Sequence, residues 1–194
     1  MKILALCGAV LLLGSTSQAS VIDFLGTLNG SNEVPSVATS GTGSIFISMD
    51  TVANTITFDV TFSGLSSADT AAHIHCCVAP GGNAGVATTL PALAGFPLSV
   101  TSGSFTATFN LFDPAFYNPA FVTSNGGLNS AEAALVNGMI AGDSYFNIHT
   151  STNPGGEIRA LLVATPEPGT FALGGLALGL LGARLRRRRR GQAG

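Results

Sequence analysis

Strict alternation of apolar and polar side chains between residues 54 and 64 limits the fold of this chain more than any other feature of its sequence. Threonines and an aspartate occupy the positions between the apolar ones. This period of two is typical of a β-strand with one buried face and one face in water. A second segment, 103–111, repeats the pattern. Both segments predict a sheet that buries one face, formed by Ile56, Phe58, Val60, Phe62, Phe105, Ala107, Phe109 and Leu111.

Turn-forming residues separate the strand candidates along the chain. Three shorter candidates cover residues 43–49, 143–150 and 157–163, and asparagine, proline and glycine cluster in the intervals between strands. One helix is predicted over 131–140, where Ser130 can cap the amide ends. Short strands at this spacing predict an all-β fold, an antiparallel sandwich or barrel. The form we expect is an antiparallel β-sandwich of Greek-key-like topology with one short helix.

The first 19 residues predict a signal peptide. A positive start at Met1 and Lys2 precedes an apolar run over 3–13, and small residues before Ala19 suit a signal peptidase. Eleven apolar residues are too few for a permanent span, which needs about 20. We therefore expect cleavage after Ala19, which also removes Cys7, and export of the rest of the chain.

The last 30 residues, 165–194, predict a membrane-sorting tail. A Pro-Glu-Pro motif precedes a short apolar transmembrane segment over 170–185, and an arginine cluster over 184–190 follows. Because arginines stay on the cytoplasmic side, the preceding domain is expected outside the inner membrane. The motif consists of Pro166, Glu167 and Pro168, and the membrane stop consists of Arg184, Arg186, Arg187, Arg188, Arg189 and Arg190.

This tail resembles the PEP-CTERM sorting signal of exopolysaccharide-producing Gram-negative bacteria. The resemblance implies processing by an exosortase, a membrane protease that acts at the Pro-Glu-Pro motif. The expected path is an inner-membrane-anchored precursor that matures to a cell-surface or extracellular protein. The alternative is a plain C-terminal anchor that is never cut.

The net charge of the domain between the signal peptide and the sorting tail limits the kinds of partner that it can bind. Residues 20–165 contain nine acidic side chains and one basic side chain, which gives a net charge of −8. A surface of this sign repels nucleic acid and anionic lipid, so no nucleic-acid partner is expected. It is compatible with cations, with exopolysaccharide and with other surface proteins.

Four segments in a fixed order carry a second resemblance. They are LNGSNEVP at 28–35, AHIH at 72–75, YFNIHT at 145–150 and NPGGEIR at 153–159. Together they resemble the CHRD domain, the module named after chordin, over the predicted domain 20–164. The resemblance implies an extracellular β-sandwich and supplies no established activity. The sequence departs from the family at Cys76-Cys77 and at Ala160.

Three histidines form a candidate site for copper or zinc. His73 and His75 are two residues apart on an apparent strand, so their side chains share a face. His149, on a second strand with Tyr145 and Asn147 on its own side, can supply a third ligand if the strands are neighbours. In the alternative interpretation, the imidazoles form hydrogen bonds in a polar layer under a loop, with Asn147, Glu157 or Thr150 as partners.

The two cysteines of the mature chain, Cys76 and Cys77, follow His75 directly. Three states remain open for them. One is a strained vicinal disulfide, since adjacent Cα atoms lie about 3.8 Å apart, closer than in most disulfides. The others are an intermolecular bond or capped thiols, and thiolate ligation of a soft metal beside the histidines.

Other polar residues are expected to form a network rather than to catalyse. Glu157 and Arg159 share a strand face, with Ile158 directed into the core. Asn147 belongs to the same polar group. Glu33 is expected to order the first loop by accepting amide hydrogen bonds, or to contribute to a cation site.

Two functional hypotheses follow. No nucleophile motif, phosphate loop or dinucleotide fingerprint appears in the sequence, so we do not expect an enzyme. The first hypothesis is a surface or extracellular-matrix protein whose β-sandwich is a binding or structural module. The alternative is a small envelope metalloprotein that binds copper or zinc through the His-x-His-Cys-Cys cluster.

Overall fold

The computed structural model describes residues 21–165 of the chain. The predicted signal peptide, the Pro-Glu-Pro motif, the transmembrane segment and the arginine cluster all lie outside these residues. Among residues 21–165, no helix has the length and hydropathy needed to cross a membrane.

Eight β-strands dominate the described part of the chain, and every pairing between them is antiparallel. They belong to one curled sheet in the order β4-β6-β7-β1-β2-β3-β5, with β8 also paired to β1. This confirms the predicted antiparallel all-β class. The strands are β1 Val21–Asn29, β2 Thr42–Asp50, β3 Thr55–Ser63, β4 Asp69–Cys76, β5 Gly103–Asn110, β6 Ser144–Thr150, β7 Ile158–Leu161 and β8 Val163–Ala164.

The strand between residues 54 and 64 has the two faces that its pattern predicts. Its four apolar side chains are between 0% and 4% exposed, and its register pairs it with β2 on one side and β5 on the other. The segment predicted over 157–163 is divided, because Leu162 interrupts the ladder between β7 and β8. The other predicted strands lie within one or two residues of their expected bounds.

The helices differ from the sequence prediction. The predicted helix is present as α2, Leu128–Ala141, but Gly127 occupies its N-cap position without a side-chain hydrogen bond, so Ser130 is not the cap. A second helix, α1 Pro119–Ser124, precedes it, with Asn118 as its cap. Short 3-10 turns cover Gly30–Asn32 and Pro114–Phe116. The expectation of a single helix is therefore wrong.

The long connection after β4 protects the edge of that strand. Backbone hydrogen bonds join Cys76 to Gly85, Ile74 to Ala87, and Ala72 to both Pro91 and Leu93. They satisfy edge groups that would otherwise be free to pair with another chain. This connection also forms part of the cover over the polar face of β4.

The two faces of the β4-β6-β7 part of the sheet are both buried but differ in character. One face packs into the hydrophobic core through Ile74, Phe146, Ile148, Ile158 and Ala160. The opposite face carries polar and aromatic side chains that are 8% exposed or less. A sheet with two buried faces and polar side chains on one of them requires specific partners for those groups. The polar face consists of His73, His75, Tyr145, Asn147, His149 and Arg159.

Candidate metal centre

Strand pairing brings the three histidines together. In the register of β4 and β6, His75 lies opposite Tyr145, His73 opposite Asn147, and His149 opposite Ala71. Side chains directly opposite in an antiparallel pair project from the same face. All three imidazoles therefore meet on the polar face, with ring centroids 4.7 to 5.7 Å apart.

Each imidazole is oriented by a backbone carbonyl at its Nδ1 atom. A carbonyl oxygen only accepts hydrogen bonds, so each Nδ1 must carry the proton and donate it. The carbonyls belong to covering loops and not to the sheet. The pairs are His73 with Pro91 at 2.9 Å, His75 with Ala84 at 2.8 Å and His149 with Pro154 at 3.0 Å.

With each Nδ1 proton donated to a carbonyl, the Nε2 atom of each ring keeps its lone pair. The Nε2 atoms of His75 and His149 are 3.5 Å apart, and with both protons on Nδ1 this contact is not a hydrogen bond. The Nε2 atom of His73 is buried with no partner. One nitrogen from each ring lies within 4.8 Å of the others. A neutral imidazole whose Nδ1 donates to a carbonyl and whose Nε2 is free has the arrangement of a metal ligand.

Burial keeps the rings neutral. Loss of solvation lowers the pKa of His73 and of His75 to about 4 in each case, and the carbonyl hydrogen bonds only partly oppose it. The same cause lowers the pKa of His149, with Arg159 adding to the effect. Neutral imidazole is the form that binds metal ions. The three ligands are therefore available without displacing protons at neutral pH.

The geometry is close to that of a bound ion. An ion about 2.0 Å from three nitrogens in one plane requires them to be about 3.5 Å apart. The His75–His149 separation already has this value, and the remaining nitrogen lies within 4.8 Å. A small inward movement of His73 completes the site. The donor set fits copper or zinc, which imidazole ligands suit.

The cysteines lie apart from this cluster. Cys76 is on the strand face opposite to His73 and His75, and its side chain is buried in the core. Cys76 and Cys77 form a disulfide with each other, and both sulfurs pack against Gly138 of α2. Of the three states left open by the sequence, the structure contains the vicinal disulfide. Neither sulfur is placed to bind an ion held by the histidines.

Glu33 and Arg159 form an ion pair beside the histidines. Their side chains are each 3% exposed and approach to 2.8 Å. Burial raises the pKa of Glu33, and the charge of Arg159 opposes the rise. Arg159 also donates to Asn83 and lies 3.8 Å above the ring of Tyr145. The partners of the Glu33 carboxylate are thus the side chains of Arg159 and Asn147 rather than the amides of the first loop.

Tyr145 connects the ion pair to the histidine cluster. Its ring stacks on His75 with centroids 4.7 Å apart and planes 10° from parallel. Its hydroxyl accepts a hydrogen bond from the amide of Ala84, whose carbonyl orients His75. The sequence predicts no role for Tyr145, although its position two residues before Asn147 places it on this face.

Asn147 and Glu33 fill the space in front of Gly156. Asn147 lies 3.5 Å from the Glu33 carboxylate. A Cβ atom at Gly156 would come within 2.5 Å of Asn147 and 2.6 Å of Glu33. Gly156 also has a φ of 126°, a conformation that favours glycine. The glycine therefore allows the covering loop to close on the polar face.

Glu157 belongs to a separate network. It is fully buried. Its hydrogen-bond donors differ from the partners of Arg159, so Glu157 and Arg159 do not pair with each other. The expected partnership of the imidazoles with Asn147, Glu157 or Thr150 is absent from the hydrogen bonds of the described residues. The donors to Glu157 are Thr39, Ser66, Thr150 and Asn153.

Comparison with known proteins gives two family matches in this chain. A PEP-CTERM protein-sorting motif matches residues 164–190, which implies an exported, cell-surface-directed protein that is processed by an exosortase. No curated protein and no solved structure matches the chain. The CHRD domain model matches residues 24–162, which include the whole histidine cluster and its carbonyl partners. With more than half of its length matched by that model, the chain belongs to the CHRD domain family.

Proposed function

We propose that this exported CHRD protein is a binding module that holds a transition-metal ion of the copper or zinc type at the cell surface. One observation carries the proposal: backbone carbonyls hold the Nδ1 protons of three buried imidazoles, and one nitrogen of each ring lies within 4.8 Å of the others. The proposal requires ion binding alone and assigns no catalysis.

The energetics of the polar face support an ion at this point. Three buried lone pairs without donors are unfavourable, since an unsatisfied buried polar group costs about 1–3 kcal/mol. The His73 Nε2 atom is one such group. An ion bonded to all three nitrogens removes this cost. A water molecule satisfies at most two of the nitrogens, because it has two hydrogens to donate.

Elemental analysis of the exported protein tests the proposal. We expect about one copper or zinc per chain, as three ligands converge on a single point. Replacing two ligands, in the double variant His73→Ala with His75→Ala, should abolish stoichiometric metal. His149→Asn, a more conservative change, should also abolish stoichiometric metal. It provides a second test in case the double variant misfolds. Circular dichroism monitors the fold of each.

Tyr145→Phe provides the matched control. It removes a hydroxyl beside the cluster but leaves the ring that stacks on His75 and all three imidazoles. This variant should retain stoichiometric metal. The proposal fails if the native protein is free of copper and zinc and takes up neither on titration. It also fails if the histidine variants retain metal.

A second candidate function is binding of an extracellular polysaccharide or another surface protein. It is favoured by an exposed patch on the outer face of β1, β2 and β8, where Leu25, Phe46 and Val163 are 51%, 39% and 62% exposed. These side chains are neighbours through the strand register. Hydroxyl-bearing residues such as Thr27 and Ser44 flank them. A metal-free native protein would leave this patch as the candidate binding surface.

A further inference from the structure

The charge and number of the ligands at the histidine cluster distinguish between metal ions. Resting on the proposed function, we propose that the site binds Cu(I) in preference to Zn(II). Three features of the described residues support this: the ligands are all neutral, no carboxylate joins them as a ligand, and three side-chain donors come together without a fourth.

The ligands of the cluster carry no charge. Within residues 21–165, the cluster contains His73, His75 and His149 with no carboxylate and no thiolate. Zinc sites commonly include anionic ligands that offset the double charge of the ion. A neutral ligand set leaves the full charge of the ion in a site whose residues are 3% to 8% exposed. The cost of burying an ion rises with the square of its charge, so a divalent ion costs about four times as much as a monovalent one.

A positive side chain lies beside the cluster. The guanidinium of Arg159 lies 3.8 Å above the ring of Tyr145, which stacks on His75, and its charge disfavours further positive charge there. The carboxylate of Glu33 offsets this charge through its Oε2 atom, 2.8 Å from Arg159. Glu157 accepts hydrogen bonds from its own donors. Among the described residues, no carboxylate groups with the three imidazoles as a ligand, so a second positive charge at the cluster has no anionic ligand to offset it.

The number of ligands also bears on the choice of ion. Zn(II) in proteins is almost always four-coordinate, with water as the fourth ligand where only three side chains bind it, and Cu(II) favours tetragonal arrangements of four or more nitrogen and oxygen atoms. Cu(I) carries a single charge and is stable with three ligands and no water. The Nδ1 atoms of all three rings are occupied by carbonyls, so each ring offers one donor only. Three nitrogens in one buried cluster thus complete a Cu(I) site, whereas a divalent ion must bring a water molecule into the cluster as a further ligand.

Competition measurements on the exported protein test this preference. Cu(I), kept reduced under anaerobic conditions, is titrated against a chromophoric Cu(I) chelator, and Zn(II) against a chromophoric zinc chelator. We expect a dissociation constant for Cu(I) at least about 100-fold lower than for Zn(II), or about 2.7 kcal/mol. X-ray absorption of the copper form should give three nitrogen neighbours.

A charge variant separates electrostatics from ligand geometry. Glu33→Gln leaves all three imidazoles in place but removes the anion that offsets Arg159. The uncompensated guanidinium should weaken Zn(II) binding by a larger factor than Cu(I) binding. Asp59→Asn makes the same chemical change on the exposed face of β3 and should leave both dissociation constants unchanged.

The outcomes are distinguishable from those of the proposed function. Zn(II) binding as tight as or tighter than Cu(I) binding would overturn the Cu(I) preference and leave a metal-binding function standing. If Glu33→Gln weakened the binding of Cu(I) and Zn(II) by the same factor, this would contradict the role of charge. Binding of neither ion by the native protein would overturn the preference and the metal function together. Because the native protein supplies the main comparison, the test does not depend on the folding of any variant.

Discussion

Glu157 is a buried carboxylate whose partners are neutral hydrogen-bond donors. The side chain is 0% exposed. Burial by itself would raise the pKa of Glu157, but hydrogen bonds from Thr150, Thr39 and Ser66 outweigh burial and lower the pKa to about 2. A carboxylate stabilised in this way holds three separate segments of the chain around the end of β6.

Replacing this carboxylate is expected to destabilise the domain in a pH-dependent way. Since the folded-state pKa lies below the unfolded value of about 4.3, the unfolded state binds more protons between these values. The stabilisation, about 3 kcal/mol, is therefore full at neutral pH and is lost as pH falls from about 4.5 toward 2. Chemical denaturation of Glu157→Gln should show a loss of about 2–3 kcal/mol at pH 7 and a smaller loss at pH 3.

Glu132→Gln is the matched control for this experiment. Burial raises the pKa of Glu132 instead of lowering it, so removing its charge should not destabilise the protein at pH 7. If Glu157→Gln lost no more free energy of unfolding than Glu132→Gln, the donors around Glu157 would contribute nothing to stability.

For single residues, the sequence predicted the strand face of a side chain better than its hydrogen-bond partners. The period of two placed His73 and His75 on one face, and the structure adds His149 from the neighbouring strand. The carbonyls of Pro91, Ala84 and Pro154 could not be predicted, because backbone groups of loops carry no sequence signal. Glu157 and Arg159 have separate networks for a similar reason: their partners come from distant loops.

Helix α2 shows how a single glycine sets the contact between two elements. Gly138 lies against the disulfide at the end of β4, and a Cβ atom there would be 2.5 Å from each sulfur. This approach couples the helix to the strand that carries His73 and His75. The absence of a side chain at Gly138 therefore determines how closely α2 packs on the sheet.

Gly138→Ala is expected to destabilise the domain although alanine favours helices. The gain in helix propensity is about 1 kcal/mol, whereas overpacking costs about 1–3 kcal/mol or more when the neighbours cannot move. The disulfide and its strand are such neighbours. Thermal denaturation should give a melting temperature below that of the native protein.

The control is Asn137→Ala in the same helix. This change also favours the helix but adds no atom against the sulfurs, and Asn137 is exposed. It should leave the melting temperature unchanged or raise it. A Gly138→Ala protein as stable as the Asn137→Ala protein would mean that α2 moves away from the disulfide without cost.

Among helices and strands, those with a clear hydrophobic period in the sequence were predicted more accurately than those without one. Strand β3 alternates without interruption and was predicted almost to the residue. Strand β1 was missed as a strand because Gly26 and exposed Leu25 interrupt its alternation. Helix α1 has only six residues, too few to show a helical period, although Asn118 and Pro119 form a recognisable start signal.

At the scale of the whole molecule, the strand order was not predictable from periodicity. Alternation shows which face of a strand is buried but not which strand lies beside it. The cluster depends on β4 and β6 being neighbours although 67 residues separate Cys76 from Ser144 in the chain. The alternating pattern and the CHRD resemblance both predicted the fold class, and the spatial grouping of the histidines came from the structure.

The last prediction concerns maturation of the whole chain. The sorting motif at 164–190 implies that an exosortase acts at Pro166, Glu167 and Pro168. Replacing these three residues with alanine should leave a longer, membrane-bound species, because the apolar segment and the arginines remain attached. Intact-mass measurement should show that the native surface protein lacks Arg186–Arg190 and that the variant retains them. Gln192→Ala, downstream of the arginines, should mature normally, and a native surface protein that keeps its arginines would reduce the tail to a plain anchor.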